Sequence, residues 1–166
     1  MRTRRLLGTE LDLSLIGMGC WTISRQWWGD DHDDARAIRT VHAALAEGIN
    51  WFDTAPLYGH GHADRLLAEA LAGHPDAIVA TKVGVRSDGE HAESDLSPSH
   101  VVADCEASLQ RLGRDRIDLL QVHWPCQRGT ALEDTLGALT GLVEQGKIRA
   151  FGLCNYDAQA LATARG

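Results

Sequence analysis

Four residues capable of acid–base chemistry follow three predicted strands of this sequence. Asp53 ends a short apolar run at residues 49–52, and Tyr58 follows five residues later on the same loop. Lys82 and His123 end the next two apolar runs. The carboxyl ends of parallel strands lie on one face of a sheet, where α/β enzymes place their reactive groups. We therefore expect the four side chains to converge on one site.

The types of these residues favour proton transfer to or from a carbonyl or hydroxyl group. A tyrosine has a reference pKa of about 10, which is too high for easy proton exchange at neutral pH. A nearby ammonium favours the phenolate, so Lys82 is expected to lower the pKa of Tyr58. Asp53 would supply the counter-charge that holds the ammonium. His123 could hydrogen-bond a substrate oxygen or relay the proton.

Each residue also has an ordinary structural interpretation. An aspartate at a strand end often caps a turn, and a tyrosine beside a glycine is commonly a surface residue. A lysine can end a strand in solvent, and a histidine can be a satisfied core residue. Their joint occurrence at matching strand ends favours the functional interpretation over these four separate ones.

Apolar runs alternate with amphipathic segments along the chain, and this alternation would position the four residues. A small hairpin is predicted at residues 4–7 and 10–13, and a polar loop at residues 87–95. Further strands are predicted at residues 15–20, 49–52, 77–82, 117–123 and 148–153, and helices at residues 30–48, 63–71, 97–113, 132–145 and 157–165. The alternation indicates an α/β fold with right-handed crossovers and a parallel sheet of about five βα units. The sequence lacks the Gly-x-Gly-x-x-Gly fingerprint of a Rossmann fold.

The composition is that of one globular domain covering residues 1–166. Of the 166 residues, 44% are hydrophobic and 23% are charged, which are ordinary globular values. A net charge of −7 argues against nucleic-acid and membrane-surface partners, which favour a basic face. The four cysteines are widely spaced and no apolar signal segment follows the basic start, so free thiols and a cytoplasmic location are expected.

Several segments resemble the aldo-keto reductase superfamily, in the family's order and essentially from end to end of the chain. They are Gly17-Met18-Gly19-Cys20-Trp21, residues 48–71, the strand that reaches Lys82, residues 119–125 and residues 146–153. The resemblance implies a parallel (β/α) barrel of TIM type with the N-terminal hairpin as its plug. About five of the eight βα units of such a barrel are present, so the barrel is expected to be truncated.

The resemblance also implies roles for the four residues of the predicted site. Tyr58 would be the proton donor, Lys82 and Asp53 its tuning pair, and His123 the residue that orients a substrate carbonyl. The family transfers a hydride from NADPH to aldehydes and ketones without a metal. A small-molecule carbonyl or hydroxyl substrate, NADPH and no metal are therefore expected.

Further positions match family residues that contact the cofactor or the substrate. Trp21, Asp53 and Asn155 match residues that line the nicotinamide, and Trp21 and Trp124 match substrate contacts. The family usually has Ser-Asn where this chain has Cys154-Asn155. A thiol is a poorer hydrogen-bond partner than a hydroxyl, so one contact to the nicotinamide is expected to be weaker.

The sequence stops at Gly166, early in the fifth predicted helix. The family segments that grip the cofactor phosphates come later, so NADPH is expected to lack most of those contacts. The first and fifth parallel strands, at residues 15–20 and 148–153, would have uncovered edges, and such edges invite pairing with another chain. We therefore expect a homo-oligomer or a partner chain.

Two other functions are compatible with the same residues. An enzyme on a shortened scaffold that no longer binds a dinucleotide could catalyse dehydration, isomerisation or cyclisation by proton transfer alone. A protein that kept the fold and lost turnover could act only by binding. The loop containing His60-x-His62 and Asp64 is a weaker candidate for a metal site, because its flanking glycines favour a solvated turn.

Overall fold

A computed structural model describes residues 1–25 and 33–165 of the chain. The strands are β1 (Thr3–Arg5), β2 (Asp12–Ser14), β3 (Met18–Gly19), β4 (Trp51–Asp53), β5 (Ile78–Val83), β6 (Val85–Ser87), β7 (Ala92–Ser94), β8 (Ile117–Val122) and β9 (Ile148–Leu153). The helices are α1 (Asp34–Ala46), α2 (His62–Ala70), α3 (Pro98–Leu112), α4 (Leu132–Glu144) and α5 (Ala158–Arg165), and a 3-10 turn covers Trp21–Ile23. The predicted start of the first helix at residues 30–32 lies outside the described residues.

The main sheet has five parallel strands in the order β3-β4-β5-β8-β9. Each new strand is added beside the previous one, and a helix lies between most pairs in the sequence. This arrangement confirms the predicted α/β class and the parallel sheet. The N-terminal hairpin is also confirmed, because β1 and β2 pair antiparallel with Arg4 opposite Leu13.

The core lies between the sheet and the layer of helices packed on it. Strand β5 is buried at all six positions, as expected for a parallel strand covered on both faces. Phe52 on β4, Leu67 on α2, Val101 on α3 and Leu139 on α4 are fully buried in one apolar cluster. Packing of this kind fixes the strand ends, and the strand ends carry the residues predicted to do chemistry.

Two sequence predictions about local structure are wrong. The predicted polar loop at residues 87–95 contains a hairpin, β6–β7, with Arg86 opposite Glu93. Its turn is closed by the Asp88 carboxylate, which accepts the backbone N–H groups of Glu90 and His91. Such Asx turns form from local polar contacts, so hydrophobic periodicity does not reveal them. The strand predicted at residues 15–20 is reduced to the two residues of β3.

Strands β3 and β9 form the two edges of the parallel sheet in the described part of the chain. Leu15 and Ile16, just before β3, are 53% and 59% exposed. Within the same described residues, every helix is too short or too polar to cross a membrane.

Candidate active site

The ends of three neighbouring strands place Asp53, Lys82 and Gln121 side by side. The register pairs Asp53 of β4 with Ala80 of β5 and pairs Lys82 with Gln121 of β8. The Lys82 Nζ donates to Asp53 Oδ2 at 2.7 Å, and Gln121 Nε2 donates to Asp53 Oδ1 at 3.2 Å. Both oxygens of the carboxylate are therefore occupied. Gln121 was not predicted, because its role depends on a register that the sequence does not display.

The Lys82 ammonium has a second fixed acceptor in the backbone. The residue is 4% exposed, and a buried charge needs a partner. Its Nζ also donates to the carbonyl oxygen of Thr54 at 2.9 Å, and it lies 5.0 Å from the centre of the Tyr58 ring. An ammonium has three N–H donors. With Asp53 and Thr54 accepting two of them, the third is available to the Tyr58 oxygen.

A glycine-rich turn brings Tyr58 over the lysine. Gly59 has a φ of +61°, and a Cβ there would collide with the carbonyl oxygen of Ser24. Lys82 lowers the pKa of Tyr58 as predicted, but the net shift is upward. Burial raises the pKa of Tyr58 above its usual value of 10.0, and the opposing attraction of Lys82 only partly offsets it. The phenol is therefore protonated at neutral pH, as a proton donor must be.

His123 faces the edge of the tyrosine ring. The two rings lie 6.1 Å apart at 84° to each other, and the His123 backbone N–H donates to the Val83 carbonyl at 3.0 Å. His123 is 7% exposed. Burial, with a smaller effect of Lys82, lowers its pKa to about 4. The imidazole is therefore neutral at neutral pH, so it suits hydrogen bonding to a substrate oxygen better than proton donation.

The remaining predicted residues surround this pair. The Trp21 ring stacks with that of Tyr58 at 6.4 Å, and the Trp124 ring lies 5.3 Å from that of His123. Asn155 has a φ of +61°, and its Nδ2 donates to the His123 carbonyl at 2.8 Å. The structure thus brings all seven predicted site residues to the C-terminal end of the sheet. Their roles stay predictions.

A cleft of about 490 Å³ opens over the tyrosine. Tyr58 and His123 line it, whereas Asp53 and Lys82 are not among its lining residues. The rest of its lining is supplied by loops and by the β6–β7 turn, namely Trp21, Leu57, Ser87, Gly89, Glu90, His91, Ala92, Trp124 and Asn155. The contribution of the β6–β7 turn was missed, because residues 87–95 were predicted to be a loop. The Ser-Asp-Gly-Glu sequence at 87–90 is the turn signal that could have indicated it.

The described lining of the cleft suits the nicotinamide end of a dinucleotide better than its phosphate end. A flat ring can be accommodated by the aromatic walls of Trp21 and Trp124, and Asn155 offers a side-chain amide to a carboxamide. No lysine or arginine is among the described residues that line the cleft. Phosphate groups bind to basic side chains or to helix N-termini, so the chain's cleft residues account for only one half of such a cofactor.

The weaker candidate for a metal site is the loop that contains His60, His62 and Asp64. The His62 Nε2 lies 3.0 Å from Asp34 Oδ1, and Asp64 is fully buried with Thr54 and Arg111 as its partners. These residues are thus engaged in separate contacts. Within the described residues, no group of three or more potential ligands is placed to hold a metal ion.

Fold and site together define a class of protein: a parallel α/β chain with a tyrosine over a lysine–aspartate pair, at the C-terminal ends of the strands. The model of the aldo/keto reductase family matches residues 15–165. The chain therefore belongs to the aldo/keto reductase family, which confirms the resemblance found in the sequence.

Two curated relatives are similar to nearly the whole of this chain. The chain is 34% identical over 168 residues to the aldo-keto reductase YhdN of Bacillus subtilis, covering 99% of this chain and 50% of the relative. It is 34% identical over 165 residues to the NADH-specific methylglyoxal reductase of Escherichia coli, covering 90% of this chain and 51% of the relative. The chain thus spans about half the length of the curated relatives it matches.

Solved structures agree with the fold. The glycerol dehydrogenase AKR11B4 of Gluconobacter oxydans superimposes with a TM-score of 0.87 at 39% identity, over 98% of this chain and 51% of that one. An aldo-keto reductase from Klebsiella pneumoniae, solved in complex with NADPH, gives a TM-score of 0.73 at 26% identity, over 91% of this chain and 49% of that one. The predicted TIM-type barrel, represented here by its first five parallel strands, is thereby confirmed.

Proposed function

We propose that this chain supplies the acid–base half of an NADPH-dependent reductase of aldehydes or ketones, with Tyr58 as the proton donor. One observation carries the proposal: the Lys82 ammonium, fixed by Asp53 and Thr54, lies 5.0 Å from the centre of a phenol ring at the base of an open cleft. Bound NADPH supplies a hydride to the carbonyl carbon.

The chain's own residues account for the proton. A carbonyl oxygen that gains negative charge takes the proton of the Tyr58 hydroxyl, and the O–H bond of the product alcohol forms as that of the phenol breaks. The phenolate left behind is stabilised by the Lys82 ammonium, whose own charge is balanced by Asp53. His123 is neutral, so it can donate a hydrogen bond to the same oxygen without repelling the lysine. Solvent at the mouth of the cleft then returns a proton to Tyr58.

Residues of the cleft would hold the nicotinamide and the substrate. Asn155 would bind the carboxamide, and Trp21 would pack against the ring. Trp124 would form the substrate side of the cleft, next to His123. Since one relative is described as NADH-specific and one similar structure holds NADPH, both dinucleotides belong in the test.

The proposal is tested by following consumption of NADPH and NADH with small aldehydes and ketones, for the wild type and for Tyr58→Phe. Loss of a general acid costs roughly a hundredfold to ten-thousandfold in rate, so we expect Tyr58→Phe to lose turnover by that factor. Tyr156→Phe is the matched control and should retain it. Equal turnover by Tyr58→Phe and the wild type would refute the role of Tyr58.

Tryptophan fluorescence separates binding from catalysis. NADPH should quench the fluorescence of Trp21 with saturation, and the Trp21→Phe variant should lose part of that signal. If NADPH causes no saturable change up to millimolar concentration, the chain does not reduce carbonyls as it stands.

A non-redox acid–base enzyme is the second candidate, because Tyr58, Lys82 and His123 suffice for proton transfer and the described lining of the cleft has no lysine or arginine for the phosphates of a dinucleotide. Proton transfer alone would exchange hydrogen next to the carbonyl of a suitable ketone. NMR in D₂O, with no dinucleotide present, would show deuterium incorporation that Tyr58→Phe abolishes. Absence of incorporation in every ketone tested would dismiss this candidate. Binding without turnover is the third possibility, and it would be indicated if Tyr58→Phe left the biological activity intact.

We also propose that the edges β3 and β9 are covered by another chain, either a second copy or a partner. In the described residues, β3 and β9 each pair with a neighbouring strand on one side only. Leu15 and Ile16, next to β3, are exposed. Unpaired edges readily pair with other strands. Light scattering of the purified protein should show a mass above that of one chain. A monomer across the accessible concentration range would contradict self-association.

A further inference from the structure

A second ion pair, between the buried Asp64 and the partly exposed Arg111, is connected to the lysine through Thr54. Asp64, at the start of α2, is fully buried. Its Oδ2 accepts from Arg111 Nε of α3 at 2.9 Å, and its Oδ1 accepts from the hydroxyl of Thr54 at 2.7 Å. Thr54 is the residue whose carbonyl holds the Lys82 ammonium. The Lys82 ammonium and the Asp64–Arg111 pair are thus connected through one threonine.

Thr54 is fixed at three points. Its backbone N–H donates to the carbonyl of Ala80 at 2.9 Å, its hydroxyl donates to Asp64, and its carbonyl accepts from Lys82. The first contact continues the β4–β5 ladder and holds the backbone nitrogen of Thr54. The hydroxyl contact holds the side chain and the Cα of Thr54 against the start of α2. The position from which the Thr54 carbonyl reaches Lys82 therefore depends on Asp64.

Arg111 in turn fixes the position of Asp64. Its Nη2 donates to the Ser108 hydroxyl at 2.8 Å, and its chain lies against the backbone of Gly61, where a Cβ would be 2.5 Å from the Arg111 Cδ. The guanidinium is thus held by α3 and seated on the N-terminus of α2. A carboxylate between two such fixed groups has little freedom to move.

From this geometry we infer that Asp64 and Thr54 are positioning residues, which aim the third N–H of Lys82 at the oxygen of Tyr58. Two acceptors, Asp53 and Thr54, determine the direction of the remaining donor. The Asp53 carboxylate is 28% exposed and is attached to a flexible side chain. The Thr54 carbonyl is the rigid member of the pair. Loss of the Asp64 contact would leave the ammonium in place but would misdirect it.

The expected consequence of a misdirected ammonium is a change in the pKa of Tyr58. The charged and titratable groups near its phenol are Lys82, Asp53, Cys154 and His123. Of these, Lys82 opposes the rise in the pKa of Tyr58, whereas Asp53 and Cys154 add to it. A misdirected ammonium therefore gives a higher pKa of Tyr58, a poorer proton donor and a fall of activity that begins at higher pH.

The test compares Thr54→Val, which removes the hydroxyl at nearly constant volume, with Thr54→Ser, which keeps it. We expect a roughly tenfold to hundredfold fall in kcat for Thr54→Val, as for other small misplacements of catalytic groups. KM should change little, and the alkaline fall in kcat should move to higher pH. Thr54→Ser should restore both. A Thr54→Val enzyme with the kcat and the pH profile of the wild type would overturn the inference.

The kinetic readout rests on the proposed function, but a second readout does not. The sequence contains two tyrosines, so Tyr156→Phe leaves a single phenol to titrate by ultraviolet absorbance or by NMR of labelled tyrosine. In that background Thr54→Val should raise the pKa of Tyr58, whether or not the protein reduces carbonyls. A raised pKa without any turnover in the wild type would refute the proposed function and uphold the positioning role.

Loss of stability alone is excluded by a matched control. Asp118 is also a buried carboxylate, and it accepts from the Val79 N–H at 2.9 Å and from Arg149 Nη1 at 3.0 Å, far from the cleft at the N-terminal end of β8. Asp118→Asn should lower the melting temperature and leave the titration of Tyr58 unchanged. If Thr54→Val does not fold, Asp64→Ala, which removes the acceptor of the Thr54 hydroxyl, should show the same direction of change. An unshifted phenol titration in Asp64→Ala would then overturn the inference.

Discussion

Each end of the parallel sheet has an aspartate paired with a basic side chain, and the contacts of the two aspartates differ. At the C-terminal end, Asp53 pairs with Lys82 at 2.7 Å under the tyrosine. At the N-terminal end, Asp118 pairs with Arg149 at 3.0 Å and with Arg114 at 3.7 Å. Both carboxylates bridge neighbouring strands. The lysine keeps one donor for a group in a cleft, whereas the contacts of Asp118 join structural elements to each other.

Cleft volume does not distinguish the two ends. A cleft of about 720 Å³ lies near the N-terminal end, lined partly by Gly113, Arg114 and Asp118. The cleft over Tyr58 is smaller, at about 490 Å³. Only the smaller one combines a titratable phenol with a neutral imidazole. Chemistry at the C-terminal ends and stability at the N-terminal ends is the usual division in barrels of this type. The candidate active site is therefore identified by the chemistry of its lining residues and not by the volume of its cleft.

The strongest test of this division is a pair of equivalent substitutions. Lys82→Met should lower the rate of carbonyl reduction by about a thousandfold, because the phenolate loses its stabilising charge. Arg149→Met, which leaves the buried Asp118 carboxylate with Arg114 as its charged partner, should cost about 1 to 3 kcal/mol of stability and keep the rate. Steady-state kinetics and thermal unfolding of both variants measure the two effects. Loss of rate in Arg149→Met, with its fold intact, would contradict the division.

The predicted site shows how far sequence reasoning can go. Asp53, Lys82 and His123 could be located because each interrupts an apolar run, and a strand end is visible in the sequence. The parallel sheet followed from the alternation of strands and helices. The bonds of Gln121 and of the Thr54 carbonyl could not be predicted, since they join positions far apart in the chain through the strand register.

The other two errors have separate causes, namely the burial of Tyr58 and the short polar strands of the β6–β7 hairpin. The lowering effect of Lys82 on the pKa of Tyr58 was predicted, whereas the larger rise caused by burial was not, because the sequence does not show desolvation. The β6–β7 hairpin was missed because its strands have three residues each and are mostly polar. Both errors concern the walls and the interior of the cleft. Hydrophobic periodicity predicts which residues lie at the strand ends, but it does not predict how deeply their side chains are buried.

A smaller difference between the two ends of the sheet is the pH dependence of stability that His123 contributes at the C-terminal end. Burial lowers the pKa of His123 to about 4 from a reference of 6.5. The folded state thus favours the neutral imidazole, so this contribution to stability is present above pH 6.5 and is lost as the pH falls from 6.5 towards 4. The limiting slope for one histidine is about 1.4 kcal/mol per pH unit.

The prediction for His123 is checked by thermal unfolding of the wild type and His123→Asn between pH 7.5 and 4.5. The wild type should lose stability faster than the variant on acidification, and the two curves should be parallel above pH 7. Arg149→Met, at the other end of the sheet, should retain the slope of the wild type. Parallel curves for the wild type and His123→Asn throughout would show that burial of His123 does not depress its pKa.

The smallest expected effect concerns Cys154, the neighbour of the cleft residue Asn155. The Sγ of Cys154 lies 3.3 Å from Asn155 Nδ2, which also donates to the His123 carbonyl. A hydroxyl accepts a hydrogen bond better than a thiol does, so Cys154→Ser should hold the Asn155 amide more firmly. A net gain at the low end of a hydrogen bond's range, about 0.6 kcal/mol, corresponds to roughly threefold tighter binding of NADPH in a fluorescence titration. Cys105→Ala, in the buried face of α3, is the control and should leave the dissociation constant unchanged. Weaker or equal binding by Cys154→Ser would mean that Asn155 is already fixed by its bond to His123, and that the thiol costs the site nothing.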